Sequence, residues 1–148
     1  IERINFVNAS VIAGERGIRV RQTTDRQARD YASTITIRTR AGNLEHEVVG
    51  AVFGSHDLRI VRADGFTIDA LPEGHLVMTR SRDVPGVIGR IATLLGDAGI
   101  NIGHFYLGRK AAGHEAMALI QVDGPVEDAQ IDAISGLPDL LSARRIRL

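Results

Sequence analysis

Leu76-Val77-Met78-Thr79-Arg80-Ser81-Arg82-Asp83-Val84-Pro85-Gly86-Val87-Ile88-Gly89-Arg90-Ile91-Ala92-Thr93-Leu94-Leu95-Gly96-Asp97-Ala98-Gly99 is the stretch from which the fold is read. Residues 76–81 have the apolar, β-compatible composition of a strand. Asp83-Val84-Pro85-Gly86 is a turn, with Pro85 suited to the first helical position. From 87 to 98 the period becomes helical. Ile88, Ile91 and Leu95 fall on one face, joined by Val87 and Leu94, and Gly99 stops the helix.

Downstream, 100–107 and 115–122 read as strands joined by a hairpin around Lys110–Gly113. A second amphipathic helix spans 126–135, between Pro125 and Gly136, and 140–148 is a last strand carrying Arg144, Arg145 and Arg147. The order strand, helix, strand, strand, helix, strand is the split βαβ of ferredoxin-like folds, with two helices on one face of a four-stranded sheet. That fold serves many activities and names none.

Upstream, Leu71-Pro72-Glu73-Gly74 marks a domain boundary. Before it, residues 4–16 place Ile4, Val7 and Val11 on a helical stripe beside Ile12, with Gly17 as a C-terminal cap. Ile18 and Val20, then Ile35 and Ile37, alternate with polar residues as strands do. Gly42-Asn43 turns into a longer strand at 44–53, and Ala63-Asp64-Gly65 is a hairpin between 58–61 and 66–70. The expected fold class is therefore α+β: an N-terminal helix on an antiparallel sheet over 1–71, then a ferredoxin-like βαββαβ unit over 74–148.

Composition narrows the function classes. The chain has 148 residues, 44% hydrophobic, with eighteen basic and eighteen acidic residues. Balanced charge argues against general nucleic-acid or membrane-surface binding. No apolar run reaches the ~18–20 residues of a membrane span, and no basic-then-apolar leader opens the chain. Its start at Ile1 suggests a fragment or processed product. With no cysteine there is no disulfide, thiolate nucleophile or Cys-based zinc site, in keeping with a cytoplasmic location. All cations but Lys110 are Arg, which fits either genomic base composition or a liking for carboxylates and phosphates.

No catalytic constellation emerges. No serine sits in a Gly-x-Ser-x-Gly elbow. His46, His56, His75, His104 and His114 are scattered without metal-ligand spacing. There is neither a Gly-x-Gly-x-x-Gly nor a Walker loop. Gly86-Val87-Ile88-Gly89 matches an RNA-clamping GXXG only superficially, because Val87 and Ile88 read as core. The strand-to-helix corner remains. Asp83 precedes a helix whose free N–H groups attract a carboxylate, Gly86 clears space, and Asn101 opens the next strand with an amide that donates and accepts. Asp83 could take an amino acid's ammonium, with Asn101 and the helix N-terminus taking its carboxylate. The plainer reading is a helix cap and a turn residue.

Residues 81–89 and Gly99-Ile100-Asn101-Ile102 resemble the signature of ACT domains, amino-acid-sensing modules appended to metabolic enzymes. Phe6-Val7-Asn8-Ala9, Glu15-Arg16-Gly17-Ile18 and Arg59-Ile60-Val61-Arg62-Ala63-Asp64-Gly65 resemble the allosteric substrate-binding domain of long-form D-3-phosphoglycerate dehydrogenases, and Leu137-Pro138 with Ser142-Ala143-Arg144 fits the same C-terminus. The resemblance implies a non-catalytic regulatory tail. Two ACT domains would pair edge to edge, within a homo-oligomer that is a tetramer in the full protein, and bind L-serine or a related amino acid. Ser81, Asp83, Gly86 and Asn101 are then the effector-binding positions. It implies Arg59 as an anion-binding residue, whereas Gln121 stands where some relatives have Arg. Ser81 and Val84 likewise replace the family's common His or Tyr and Arg. NAD would belong to a catalytic part that the chain lacks. Asn101-Ile102-Gly103-His104 and Gly108-Arg109-Lys110 also resemble iron–sulfur L-serine dehydratases, and an ACT dimerisation module without ligand is a third alternative.

Overall fold

The computed structural model describes residues 4–23 and 33–148. Ile1 and Tyr31 lie outside them. Among the described residues there are eleven elements: α1 (Ala9–Glu15), β1 (Ser33–Ala41), β2 (Leu44–Phe53), β3 (Asp57–Ala63), β4 (Phe66–Ala70), β5 (His75–Arg82), α2 (Val87–Asp97), β6 (Ile102–Arg109), β7 (Glu115–Val122), α3 (Asp128–Ser135) and β8 (Leu140–Arg147). They form an α+β structure with two four-stranded antiparallel sheets, ordered β1-β2-β3-β4 and β6-β7-β5-β8.

The first sheet is a meander whose turns follow local chemistry. Gly42 bends β1 into β2 at φ 59°, and Asp64-Gly65 joins β3 to β4 with both residues at positive φ, the signature of a tight hairpin. Two expectations fail upstream. Ile18 and Val20 alternate as a strand would, but 18–23 pairs with nothing among the described residues. The helix is only seven residues long and buries Ile12, while Ile4, Val7 and Val11 stay exposed. Asn5 and Asn8 hold its entry in a local turn, Asn5 N–H donating to the Asn8 side chain at 2.7 Å, which delays the first helical residue to Ala9.

The second sheet is the expected βαββαβ. Val87, Ile91 and Leu95 of α2, with Val126 and Ile134 from the α3 side, meet Val77, Ala118, Ile120 and Val122 in one core. Ile88 was expected on this face but is 44% exposed. The helix begins at Val87, two residues after Pro85, because Pro85 and Gly86 form the turn and Gly86 sits at φ 87°. The buried stripe is therefore 87, 91, 95, and Ile88 lies about 100° round. At the other end Gly99, at φ 72°, lets the Ile100 N–H reach back to the Leu95 carbonyl at 2.9 Å.

The sheet's opposite face is not left to solvent. Leu76, Met117 and Leu119 pack with Ala63, Phe66, Ile68 and Ala70 of the first sheet, flanked by Met78, Tyr106 and Ile146. Alternation along β5 explains how one strand serves both cores, with Leu76 pointing one way and Val77 the other.

Candidate effector-binding site

Asp83 follows the last residue of β5 and is held by the β6–β7 turn. The Arg109 Nε donates to its Oδ2 at 2.8 Å, an Arg109 Nη donates to the same oxygen, and the Gly113 N–H adds a third bond at 3.1 Å. Its own N–H donates to the His114 carbonyl at 3.2 Å. The Arg109 guanidinium, and then the Gly113 amide, hold the Asp83 carboxyl below the usual carboxylate range. Oδ2 is thus occupied, and Oδ1 has no partner among the described residues. Asp83 can receive a ligand ammonium, but only as a carboxylate already shared with Arg109.

Asn101 lies elsewhere. Its Nδ2 donates to Asp123 Oδ2 at 2.7 Å, and the Asp123 N–H returns a bond to the Asn101 carbonyl at 3.2 Å. Along β7, Arg82 is paired with Glu115 and Ile102 with Val122. At ~3.4 Å per residue those registers put Asp83 and Asn101 roughly 23 Å apart, at opposite ends of the sheet. The expectation that one chain brings them to a single corner is therefore corrected. The reason is elementary: α2 runs its full ~16 Å between them.

Ser81 is buried in β5, next to an irregularity in its pairing with β8. At Gly86 a Cβ would lie 3.0 Å from Arg90 Nη1, and Arg90 in turn reaches the Pro138 carbonyl and Asp139 at 3.2 and 3.3 Å. Ser81, Asp83 and Gly86 therefore gather at the N-terminal end of α2, and Asn101 does not join them.

Arg59 is a bidentate partner of Asp57, at 2.8 and 3.1 Å, and lies 3.5 Å from Asp69. An anion at Arg59, the possible anion-binding residue, would have to compete with these two carboxylates. Gln121 is engaged by His104 at 2.8 Å. Arg109 was not anticipated. The sequence signal was a cation closing a strand just before a Gly-containing turn, and it gains meaning only once β6 and β5 are known to share a sheet end.

These features define the class as an α+β chain in which a ferredoxin-like, ACT-type unit packs on a second antiparallel sheet. Residues 75–139 match the ACT domain, and residues 1–64 match the D-3-phosphoglycerate dehydrogenase intervening domain. The chain is 35% identical over 147 residues to the D-3-phosphoglycerate dehydrogenase of Synechocystis sp., covering 99% of this chain and 26% of that protein. It is 34% identical to the Bacillus subtilis enzyme of the same name, over 98% of this chain and 28% of that protein. The Methanocaldococcus jannaschii enzyme is also 34% identical, over 98% and 27%. The chain is therefore similar to the regulatory part of D-3-phosphoglycerate dehydrogenases, and spans about a quarter of the length of these relatives.

Proposed function

We propose that two copies of this chain pair through the free edge of β6 and the neighbouring α2, and bind L-serine between them as a feedback signal. The observation that carries the reading is the placement of Asp83 and Asn101 at opposite ends of α2. A two-fold axis beside β6 sets the two α2 helices antiparallel. Each copy's Asp83 then meets its partner's Asn101, so the separation that forbids a site in one chain creates two sites in a dimer. An ammonium suits the free Oδ1 of Asp83. The serine carboxylate suits the Asn101 amide and the open N–H groups at the start of α2. Ile88 and Leu107, both about two-fifths exposed (44% and 41%), supply apolar surface along that edge.

Serine acts, in this reading, by differential affinity: it binds the closed pair better than the open one and shifts the parent enzyme toward a less active population. In the parent, NAD and the hydride chemistry belong to residues outside this chain, which has no glycine-rich dinucleotide fingerprint. The assembly, a tetramer in the whole protein, is cytoplasmic. No helix among the described residues is long and apolar enough to cross a membrane. Isothermal titration of the dimer with L-serine should give saturable heat that Asp83→Asn and Asn101→Ala each abolish. Heat from neither serine nor glycine, with an intact dimer, leaves a dimerisation module without ligand.

A further inference from the structure

We propose that the groove between the C-terminal end of β5, the β6–β7 turn and β8 binds a small dianion, a phosphomonoester or short dicarboxylate, through Arg82 and Lys110 with Arg80 behind them. The groove measures about 630 Å³ and is lined by Arg80, Arg82, Lys110, His114, Glu115 and Leu141, among others. That volume lies within the range of ordinary ligand pockets, roughly 300–1,000 Å³.

Its charge is one-sided. Glu115 is the single carboxylate in the lining and is bonded to Arg80 at 2.6 Å. Glu115 also feels the charge of Lys110, and the Arg80 guanidinium leads in holding its carboxyl below the usual range. Yet no carboxylate among the described residues lies at ion-pair distance from Lys110 or Arg82. Three cations thus line the groove with one carboxylate among them, while the neighbouring Asp83 carboxylate is engaged by Arg109 and the Gly113 amide. Lys110 is not a free-swinging surface chain. Its ammonium stands 4.5 Å over the ring of the fully buried Phe66, and its Cε lies 3.5 Å from where a Gly65 Cβ would be. A fixed ammonium beside an Arg fork suits a tetrahedral or paired-carboxylate dianion.

The site is distinct from the serine reading, because it uses neither Asp83 nor Asn101 and needs no second copy. The test titrates the full chain with inorganic phosphate and, separately, malonate at constant ionic strength, following the amide resonances of residues 111–114. Saturable shifts are expected with one or both, and the stronger binder names the source of the dianion. Arg82 has no side-chain partner among the described residues, so Arg82→Gln should weaken binding about tenfold or more without costing a contact there. Lys110→Gln should do the same with the fold intact, and Arg144→Gln on β8 should have no effect. No saturable shift, shifts that chloride reproduces, or binding that survives Arg82→Gln would each overturn the proposal.

Discussion

A Cβ added at Gly108 would lie 2.6 Å from the Thr67 carbonyl oxygen and 2.8 Å from Ile68 Cγ2. The first obstacle is backbone, so it cannot rotate away. Glycine is required here by the close approach of β6 to β4. Gly108→Ala should cost about 1–3 kcal/mol, the usual range for overpacking, read from denaturant unfolding. Asp83 offers a second residue-scale expectation. Folding lowers its pKa through Arg109 and the Gly113 amide. The stabilisation is then fully present above the unfolded carboxyl pKa, about 3.9, and is lost as the pH falls through the lower folded value. Asp83→Asn should lower the melting temperature at neutral pH, and the gap to the unaltered chain should close below about pH 4. A pH-independent gap would mean that the carboxylate charge is not what matters.

At the scale of elements, helix α2 shows what sequence can and cannot convey. Its C-terminal stop was legible because glycine at a left-handed cap is a local requirement. Gly99→Ala should cost about 1 kcal/mol for a Cβ at φ 72°, measured by thermal unfolding of both proteins. The hairpins at Gly42 and Asp64-Gly65 were legible for the same reason. Ile88 was misplaced because Val87 and Ile88 stand four and three residues before Ile91, so spacing alone puts both beside the stripe and only packing decides which is covered. Ile18 and Val20 misled because alternation records only the chance of pairing, and 18–23 has no strand beside it among the described residues. The site was half legible. Asp83, Ser81 and Gly86 are near neighbours in sequence and in space. Asn101 follows Gly99 closely, but a helix laid between two residues separates them by its length, and only the strand register reveals which sheet end each occupies.

For the whole molecule, the consequential feature is the core between the two sheets. Phe66, Ile68 and Ala70 cover Leu76, Met117 and Leu119, so the ferredoxin-like unit has no polar second face to stand on alone. A fully buried phenylalanine cut to alanine costs about 3–5 kcal/mol. Phe66→Ala should lose that much from a single unfolding transition, because the lost contacts belong to both sheets. Separating the units should be worse. Residues 74–148 expressed by themselves would present Leu76, Met117 and Leu119 to water, with Tyr106 and Ile146 at the rim. A contiguous apolar patch of this kind promotes association. The fragment should bind a hydrophobic dye and run as concentration-dependent oligomers on light-scattering chromatography, whereas the full chain should hold one defined stoichiometry. If the fragment were as well behaved as the parent, the inter-sheet core would be dispensable. Any coupling between the proposed ACT-edge site and the first sheet would then have to run outside Phe66 and its neighbours. A soluble full chain beside an aggregating fragment would instead show that the first sheet is what covers this apolar face.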